Sequence, residues 1–171
     1  KDGSIDFILH DKSLGYRVLN LSTSTFNENE TSYYVNSIGG YHPAKLRRYQ
    51  ELVDAHVHKE MGAIFNAVSK AQGDMTKVNG DSIYPVLNML NAKSFILPLE
   101  GGQTVPLTNP YVYGSAWMVD KVTYVDNANK ELDALSKMSL RHEAVADKKF
   151  SEVLGNSNTQ DGESVVTLKV Y

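Results

Sequence analysis

Glycine, tyrosine, histidine and cationic side chains are concentrated in one short segment, residues 39–48. The glycine pair lets the backbone approach a ligand closely, because glycine has no Cβ atom. A helix opening at Pro43 would present unpaired N–H groups, which attract anions, and basic side chains beside them would strengthen the binding of phosphate or carboxylate. The sequence therefore predicts a ligand-binding site for an anion. Its candidate residues are Gly39, Gly40, Tyr41, His42, Lys45, Arg47 and Arg48.

The three cationic side chains of this segment are unfavourably placed for a helix that begins at Pro43. The macrodipole is positive at a helix N-terminus, where acidic residues are preferred, whereas Glu51 and Asp54 come later. A local rule broken in this way often marks a functional site. The alternative is a solvated face, since Arg47 and Glu51 have the i, i+4 spacing of an ordinary surface ion pair.

Aromatic side chains suggest a second chemistry. Tyrosine and tryptophan rings stack on sugars, but they also fill cores and sheet faces, where they bury a large area and need only one hydrogen-bond partner. Both interpretations remain open for Tyr33, Tyr34, Tyr41, Tyr49, Tyr111, Tyr113 and Trp117.

Metal and hydrolytic chemistry find little support. His56 and His58 lie two residues apart, so on a helix they point to different faces, and no third ligand has useful spacing. No GxSxG nucleophile pattern occurs. Asp120, Asp126 and Glu131 are available as paired carboxylates, although Asp126 is better interpreted as a helix cap. We therefore expect no metal site and no cofactor, and the sequence names no catalytic residue.

The bulk composition is that of an ordinary folded chain. Of 171 residues, 42% are hydrophobic and 22% charged, and the formal net charge is −3. That balance excludes the global basic field typical of nucleic-acid-binding proteins. Cysteine is absent, which excludes disulfides and thiolate chemistry. No run approaches the roughly 20 apolar residues of a membrane helix. We expect one domain over residues 1–171, excised from a longer protein.

The spacing of apolar residues predicts an α+β fold, with a mixed sheet covered by two or three helices. A helix is expected to start within two residues of Pro43, with positive φ at Gly39 or Gly40. Residues 5–9 are predicted as a short strand or edge turn. Further strands are predicted over 17–21, 93–97, 116–119, 122–125, 140–146 and 165–171. Helices are predicted over 43–59 with a continuation to 71, through 86–90, and to 138 from a cap at Asp126 or Asn127. The predicted core is Val18, Leu19, Leu46, Tyr49, Val53, Leu87, Leu90, Ile96, Trp117, Val119, Leu132 and Leu135.

Several blocks of the sequence together resemble the YfhO-like family of bacterial multi-pass membrane proteins. The blocks are 16–20 (YRVLN), 32–34 (SYY), 37–50 (SIGGYHPAKLRRYQ), 86–96 (VLNMLNAKSFI), 109–119 (NPYVYGSAWMV) and 143–147 (EAVAD). They extend over most of the chain, roughly Gly15 to Tyr171, and none of them is a catalytic signature.

The family is similar to glycosyltransferases that use lipid-linked sugar donors outside the cytoplasm. In that architecture the catalytic carboxylate lies on a loop between membrane helices. The sequence of this chain predicts no membrane helix, so we do not expect that carboxylate here. The resemblance implies an accessory domain on the extracytoplasmic face of a bacterial membrane, tethered by transmembrane segments absent from the chain. The expected partners are those segments and a lipid-phosphate sugar or glycan acceptor. The alternative is a structural or protein-interaction module with no ligand of its own.

The anion-site hypothesis has a direct consequence for two residues. Replacing Arg47 and Arg48 with glutamine should weaken the binding of a phosphate or lipid-phosphate ligand by about 1–3 kcal/mol. The free energy of unfolding should barely change, since exposed charges contribute little to it.

Overall fold

A computed structural model of the chain describes residues 3–155, 166–167 and 169. The helices are α1 (Gly3–Ile8), α2 (Glu30–Tyr34), α3 (Arg47–Leu52), α4 (His58–Lys70), α5 (Gly80–Ile83), α6 (Pro85–Met89), α7 (Ala128–Ala134) and α8 (Ser151–Leu154). Short 3₁₀ turns occupy Met75–Lys77, Glu100–Gly102 and Lys148–Phe150. The strands are β1 (Arg17–Asn20), β2 (Ala92–Pro98), β3 (Thr104–Thr108), β4 (Lys121–Val125) and β5 (Glu143–Asp147).

The strands form two sheets, and the α+β prediction is confirmed. The larger sheet is mixed and has the order β1-β2-β3, with β1 parallel and β3 antiparallel to β2. The smaller sheet pairs β4 and β5 in parallel. Among the described residues, no helix combines the length and the hydropathy needed to cross a bilayer.

The larger sheet is buried on both faces, because apolar residues occupy successive positions of its strands. On one face Leu19 and Phe95 join the main core with residues of α4 and α6. On the other face Val18 and Ile96 pack with Ile5 of α1. Strands covered on both faces lack the strict apolar–polar alternation of a half-exposed sheet. All but one of the predicted core residues are buried or half-buried, and the exception is Leu46.

A single long helical segment runs from α3 into α4, and it contains a π-helical turn at Val53–Val57. Val53 and Val57 are nearly inaccessible to solvent, as is Ile64 further along. Gly62, which the sequence marks as a potential break, lies inside α4 and does not interrupt it. The predicted helical continuation towards residue 71 is confirmed.

Several predicted elements differ from the structure. Residues 5–9 lie mostly in α1, because Ile5 and Ile8 share one helical face against the sheet. Residues 116–119 form no strand, and the indole N–H of Trp117 instead donates to the carbonyl of Leu140 at 3.1 Å. Strand β3 was not predicted. Of the final strand predicted over 165–171, residues 165, 168, 170 and 171 lie outside the described residues.

The helix α7 is capped by Asn127, whose side chain accepts from the backbone N–H of Lys130 at 3.0 Å. Asp126, the favoured cap among the carboxylates, instead pairs with the ammonium groups of Lys130 and Lys148. These two contacts lower the pKa of Asp126 to about 2. The residue is therefore explained by surface ion pairing.

Candidate functional site

The glycine pair of the predicted site is required by packing against the preceding loop. A Cβ atom on Gly39 would overlap the backbone carbonyl of Thr25. Gly40 has a φ of 121° and donates its N–H to the same carbonyl oxygen at 2.7 Å. The expected positive φ is confirmed. Both glycines thus serve a close approach of two backbone segments, which is a sufficient reason for them without any ligand.

Residues 41 to 44 form a locally bonded, exposed turn rather than the first turn of a helix. The backbone N–H of Tyr41 donates to the carbonyl of Glu28 at 2.9 Å, and its ring is 56% exposed. The backbone N–H of Ala44 donates to Nδ1 of His42 at 3.1 Å. A side chain that takes a nearby backbone N–H competes with helix formation. The segment therefore delays the helix.

The helix begins at Arg47, so the prediction of a start within two residues of Pro43 is wrong. Its cap residue, Leu46, has extended backbone angles and offers no side-chain acceptor to the first turn. Leu46 consequently lies before the helix and not on its apolar face. Its side chain is 80% exposed, which corrects its placement in the predicted core.

The exposed turn and the start of α3 enclose a cavity of about 340 Å³, which we call the helix-entry groove. Its volume is in the ~300–1,000 Å³ range of small-molecule sites. Four of the predicted site residues line it, whereas Tyr41, Arg47 and Arg48 do not. The lining consists of Phe26, Ile38, Gly39, Gly40, His42, Ala44, Lys45, Leu46, Tyr49, Gln50 and Val53.

The groove has an apolar interior with one ammonium group at its rim. Nζ of Lys45 lies 5.9 Å from the ring centroid of Phe26, within the range of a cation–π contact. The Phe26 ring in turn meets the imidazole of His58 edge to face, with centroids 5.2 Å apart. Lys45 is therefore held beside apolar surface while its charge faces solvent.

Tyr49 of α3 is hydrogen-bonded to Ile38, and both residues line the groove. Its hydroxyl donates to the backbone carbonyl of Ile38 at 2.5 Å. Burial raises the pKa of Tyr49, and the nearby cation of Arg17 opposes that shift. The phenol therefore stays protonated and acts as a structural donor in the groove wall.

Arg47 and Arg48 turn away from the groove towards carboxylates. Nε of Arg47 lies 2.8 Å from Oε1 of Glu51, the i, i+4 pair that the spacing allows. Arg48 lies 3.3 Å from Oε2 of Glu131 in α7. Both arginines are mostly exposed, so each pair contributes little to stability. The other carboxylate considered, Asp54, accepts from the side chain of Gln50 at 2.8 Å.

No family model, curated protein or solved structure matches this chain. The YfhO-like resemblance accordingly stays a hypothesis.

The histidine pair separates in the structure. Nε2 of His56 lies 2.8 Å from the carbonyl oxygen of Leu132, whereas Nε2 of His58 lies 3.8 Å from Asp54. Within the described residues, no group of three or more histidine or carboxylate side chains is arranged to hold a metal ion.

A buried carboxylate was missed by the sequence analysis. Glu60 lies in α4 and is only 7% exposed. Burial raises its pKa to about 7, against the opposing effect of two backbone hydrogen bonds. Glu60 lies four residues after His56 and four before Ile64, which places its side chain on the inward face of the helix. That spacing is the sequence signal from which the buried carboxylate could have been predicted.

Proposed function

We propose that this chain is a binding domain for an amphipathic anion of the prenyl-phosphate class, which it holds in the helix-entry groove. The observation that carries the proposal is the juxtaposition of an apolar cavity with the ammonium group of Lys45 at its mouth. The cavity would take the first part of the hydrocarbon chain. The cation would face the phosphate.

The apolar half of such a ligand is matched by the side chains that line the groove. Phe26, Ile38 and Val53 form its interior, and Leu46 lies at its exposed edge. Removing apolar surface from water contributes about 25 cal/mol per Å². An exposed leucine at the entrance would gain from covering by a hydrocarbon chain.

The anionic half is matched by the ammonium group of Lys45, which lines the groove together with His42. The first N–H groups of α3 receive no side-chain cap from Leu46. Arg47 and Arg48 are committed to Glu51 and Glu131, and we expect them to contribute less than Lys45.

In this proposal the chain assists glycosyl transfer on the extracytoplasmic face of a bacterial membrane. It would position a lipid-linked sugar or a glycan acceptor, while transmembrane segments of a parent protein carry the catalytic carboxylate. The resemblance to the YfhO-like family motivates this placement, and the amphipathic groove is the feature of the chain that suits it.

The test uses three probes that separate the two halves of the ligand: farnesyl phosphate, farnesol and inorganic phosphate. Binding to the 171-residue chain is followed by backbone amide shifts in nuclear magnetic resonance spectra. We expect farnesyl phosphate to bind at least about tenfold more tightly than either fragment. The shifts should fall on residues 38–50. Equal binding of farnesol and farnesyl phosphate would remove the anion from the proposal.

Two variants sharpen the test. Lys45→Gln should weaken farnesyl phosphate binding by about 1–3 kcal/mol, the usual effect of losing a charged hydrogen bond. Lys137→Gln removes the same charge from an exposed position outside the groove lining, and it should have no effect. An equal loss in both variants would indicate only a general charge effect. The double replacement of Arg47 and Arg48 stays a prediction, with a smaller expected loss.

The alternative is an interaction module with no ligand of its own. The 80% exposure of Leu46, between Lys45 and Arg47, favours it, because an apolar side chain in that position also suits a protein contact. If none of the three probes shifts the amides of the groove, this alternative becomes the better explanation.

A further inference from the structure

A second groove lies between α2 and the segment before β1, and it is polar where the helix-entry groove is apolar. Two adjoining cavities of about 450 and 310 Å³ share Gly15, Ser32, Val35 and Asn36 in their linings, so they form one continuous depression. We call it the polar groove. Nothing in the prenyl-phosphate proposal uses it.

Tyr33 gives this groove an exposed aromatic face. The side chain is 82% exposed, and its ring meets that of Tyr34 edge to face with centroids 4.9 Å apart. In the same helix Thr31 is buried, and its hydroxyl accepts from the side chain of Asn20 at 2.9 Å. Two residues further along a helix the side chain points to nearly the opposite side. The inward anchoring of Thr31 therefore holds Tyr33 outward.

Hydrogen-bonding groups line the smaller of the two adjoining cavities, and Asn36 lines both. The guanidinium of Arg17 and the amide of Asn36 line the groove and are exposed. Within residues 3–155, neither side chain has a hydrogen-bond partner. They offer several donors and one acceptor to a ligand.

Two other residues of the lining, Asp11 and Ser13, are already bonded to Lys93. Nζ of Lys93 lies 2.5 Å from Oδ2 of Asp11 and donates to the hydroxyl of Ser13 at 2.7 Å. The hydrogen bond from Lys93 is the main cause that lowers the pKa of Asp11 to about 2. Asp11 therefore stays ionised at neutral pH, and the ammonium group of Lys93 balances its charge.

Three hydrogen bonds to backbone carbonyls hold the segments that line the groove in place. The carbonyl of Gly15 accepts from the side chain of Asn91 at 3.0 Å, and the hydroxyl of Tyr16 donates to the carbonyl of Ile8 at 3.1 Å. The carbonyl of Asn36 accepts from the N–H of Val18 at 2.8 Å. A ligand would therefore meet a preformed surface, which lowers the entropy lost on binding.

We propose that the polar groove binds a saccharide, with a sugar ring stacked on Tyr33 and its hydroxyl groups bonded to Arg17 and Asn36. An exposed flat ring suits the C–H face of a sugar, and amide and guanidinium groups that have no hydrogen-bond partner within residues 3–155 suit its hydroxyls. The site is separate from the helix-entry groove, but the two are neighbours. Ser32 lines the polar groove, and its Oγ lies 3.7 Å from the position that a Cβ atom on Gly40 would occupy.

The test titrates maltotriose, cellotriose and triacetylchitotriose separately into the ¹⁵N-labelled chain without any lipid. At least one of these neutral sugars should shift the amides of residues 11–17 and 32–37. Tyr33→Ala should weaken that binding about tenfold, as expected for the loss of an aromatic stacking contact. Tyr33→Phe should retain it, because the ring is kept.

Tyr41→Ala is the matched control, since Tyr41 is also exposed but lies outside the polar groove. It should bind the sugar as the unaltered chain does. The proposal is overturned if no sugar shifts these amides, if the shifts map elsewhere, or if the Tyr33 and Tyr41 variants lose affinity equally. Because farnesyl phosphate is absent from these titrations, their outcome is independent of the prenyl-phosphate proposal.

Discussion

The carboxylate of Glu60 in α4 accepts a hydrogen bond from the backbone N–H of Val86 at 2.9 Å. Its other oxygen accepts from the N–H of Leu87, also at 2.9 Å. Both donors belong to the first turn of α6, whose cap residue Tyr84 makes no side-chain capping bond. A residue distant in sequence thus supplies the cap and fastens two core helices together.

Glu60 should make stability depend on pH. Its folded-state pKa of about 7 lies above the ordinary value of 4.5, so the folded protein binds the proton more tightly than the unfolded chain does. This contribution is complete below pH 4.5 and is lost as the pH rises towards 7. We expect the free energy of unfolding to fall by about 3 kcal/mol across that window from this group.

The measurement is urea-induced unfolding at a series of pH values from 4.5 to 8. Glu60→Gln cannot titrate and should remove this slope. Glu152→Gln, at an exposed position, should preserve it. A slope that survives in Glu60→Gln would mean that the decline with pH arises elsewhere.

Two glycine-to-alanine replacements should have opposite effects. Gly39→Ala would drive a methyl group into the carbonyl of Thr25, and we expect a loss of more than about 2 kcal/mol in the free energy of unfolding. Gly62→Ala places the methyl in open space within α4 and should stabilise by about 0.5–1 kcal/mol. Thermal unfolding of the two variants measures both changes in stability, and a change of the same sign in both would contradict the prediction.

Glu131 should matter more than its partner Arg48. One oxygen of Glu131 meets Arg48 at the surface, and the other accepts from the backbone N–H of Asp147 at 2.6 Å. We expect Arg48→Ala to cost less than about 1 kcal/mol and Glu131→Ala about 1–3 kcal/mol. A double-mutant cycle in urea gives both single-variant costs and the coupling energy of the pair, and a cost of Arg48→Ala equal to or above that of Glu131→Ala would refute this ranking.

The side-chain amide of Asn109 should be essential for folding, because it is 1% exposed and fully bonded. It donates to Oδ1 of Asn88 at 2.8 Å and to the carbonyl of Ala92 at 3.0 Å. Its oxygen accepts from the N–H of Tyr111 at 3.0 Å. Asn109→Ala should destabilise by more than about 2 kcal/mol. Asn66→Ala, at an exposed position in α4, should stay within about 0.5 kcal/mol.

Periodic apolar spacing predicted much of the fold. The strand cores around Val18 and Ile96 and the inward face through Val53 were recognisable, because regular elements carry a regular apolar pattern. The start of α3 was not recognisable from the sequence. It is delayed by the hydrogen bond from the N–H of Ala44 to His42, and that bond depends on side-chain geometry. Strand β3 was missed because it contains Pro106 and lies between two turn signals, the glycine pair at 101–102 and the Asn109–Pro110 step.

The candidate site was predicted only in part for a related reason. Glycine and cation types indicated a special backbone at residues 39–48, but they did not reveal that Arg47 and Arg48 would pair with carboxylates. Those partners depend on tertiary placement, as with Glu131, which lies far along the chain. The polar groove was indicated only through Tyr33, because Arg17 and Asn36 belong to no recognisable motif.

The π-helical turn at Val53–Val57 gives the long helix one place where its length can change without moving the groove. A π-helical turn holds about one residue more than an α-helical turn. If a deletion removed one residue there and ordinary winding returned, α3 and α4 would keep nearly their present relative orientation, and Tyr49 would still face Ile38. In a helix with ordinary winding throughout, the same deletion would rotate α3 by about 100° relative to α4.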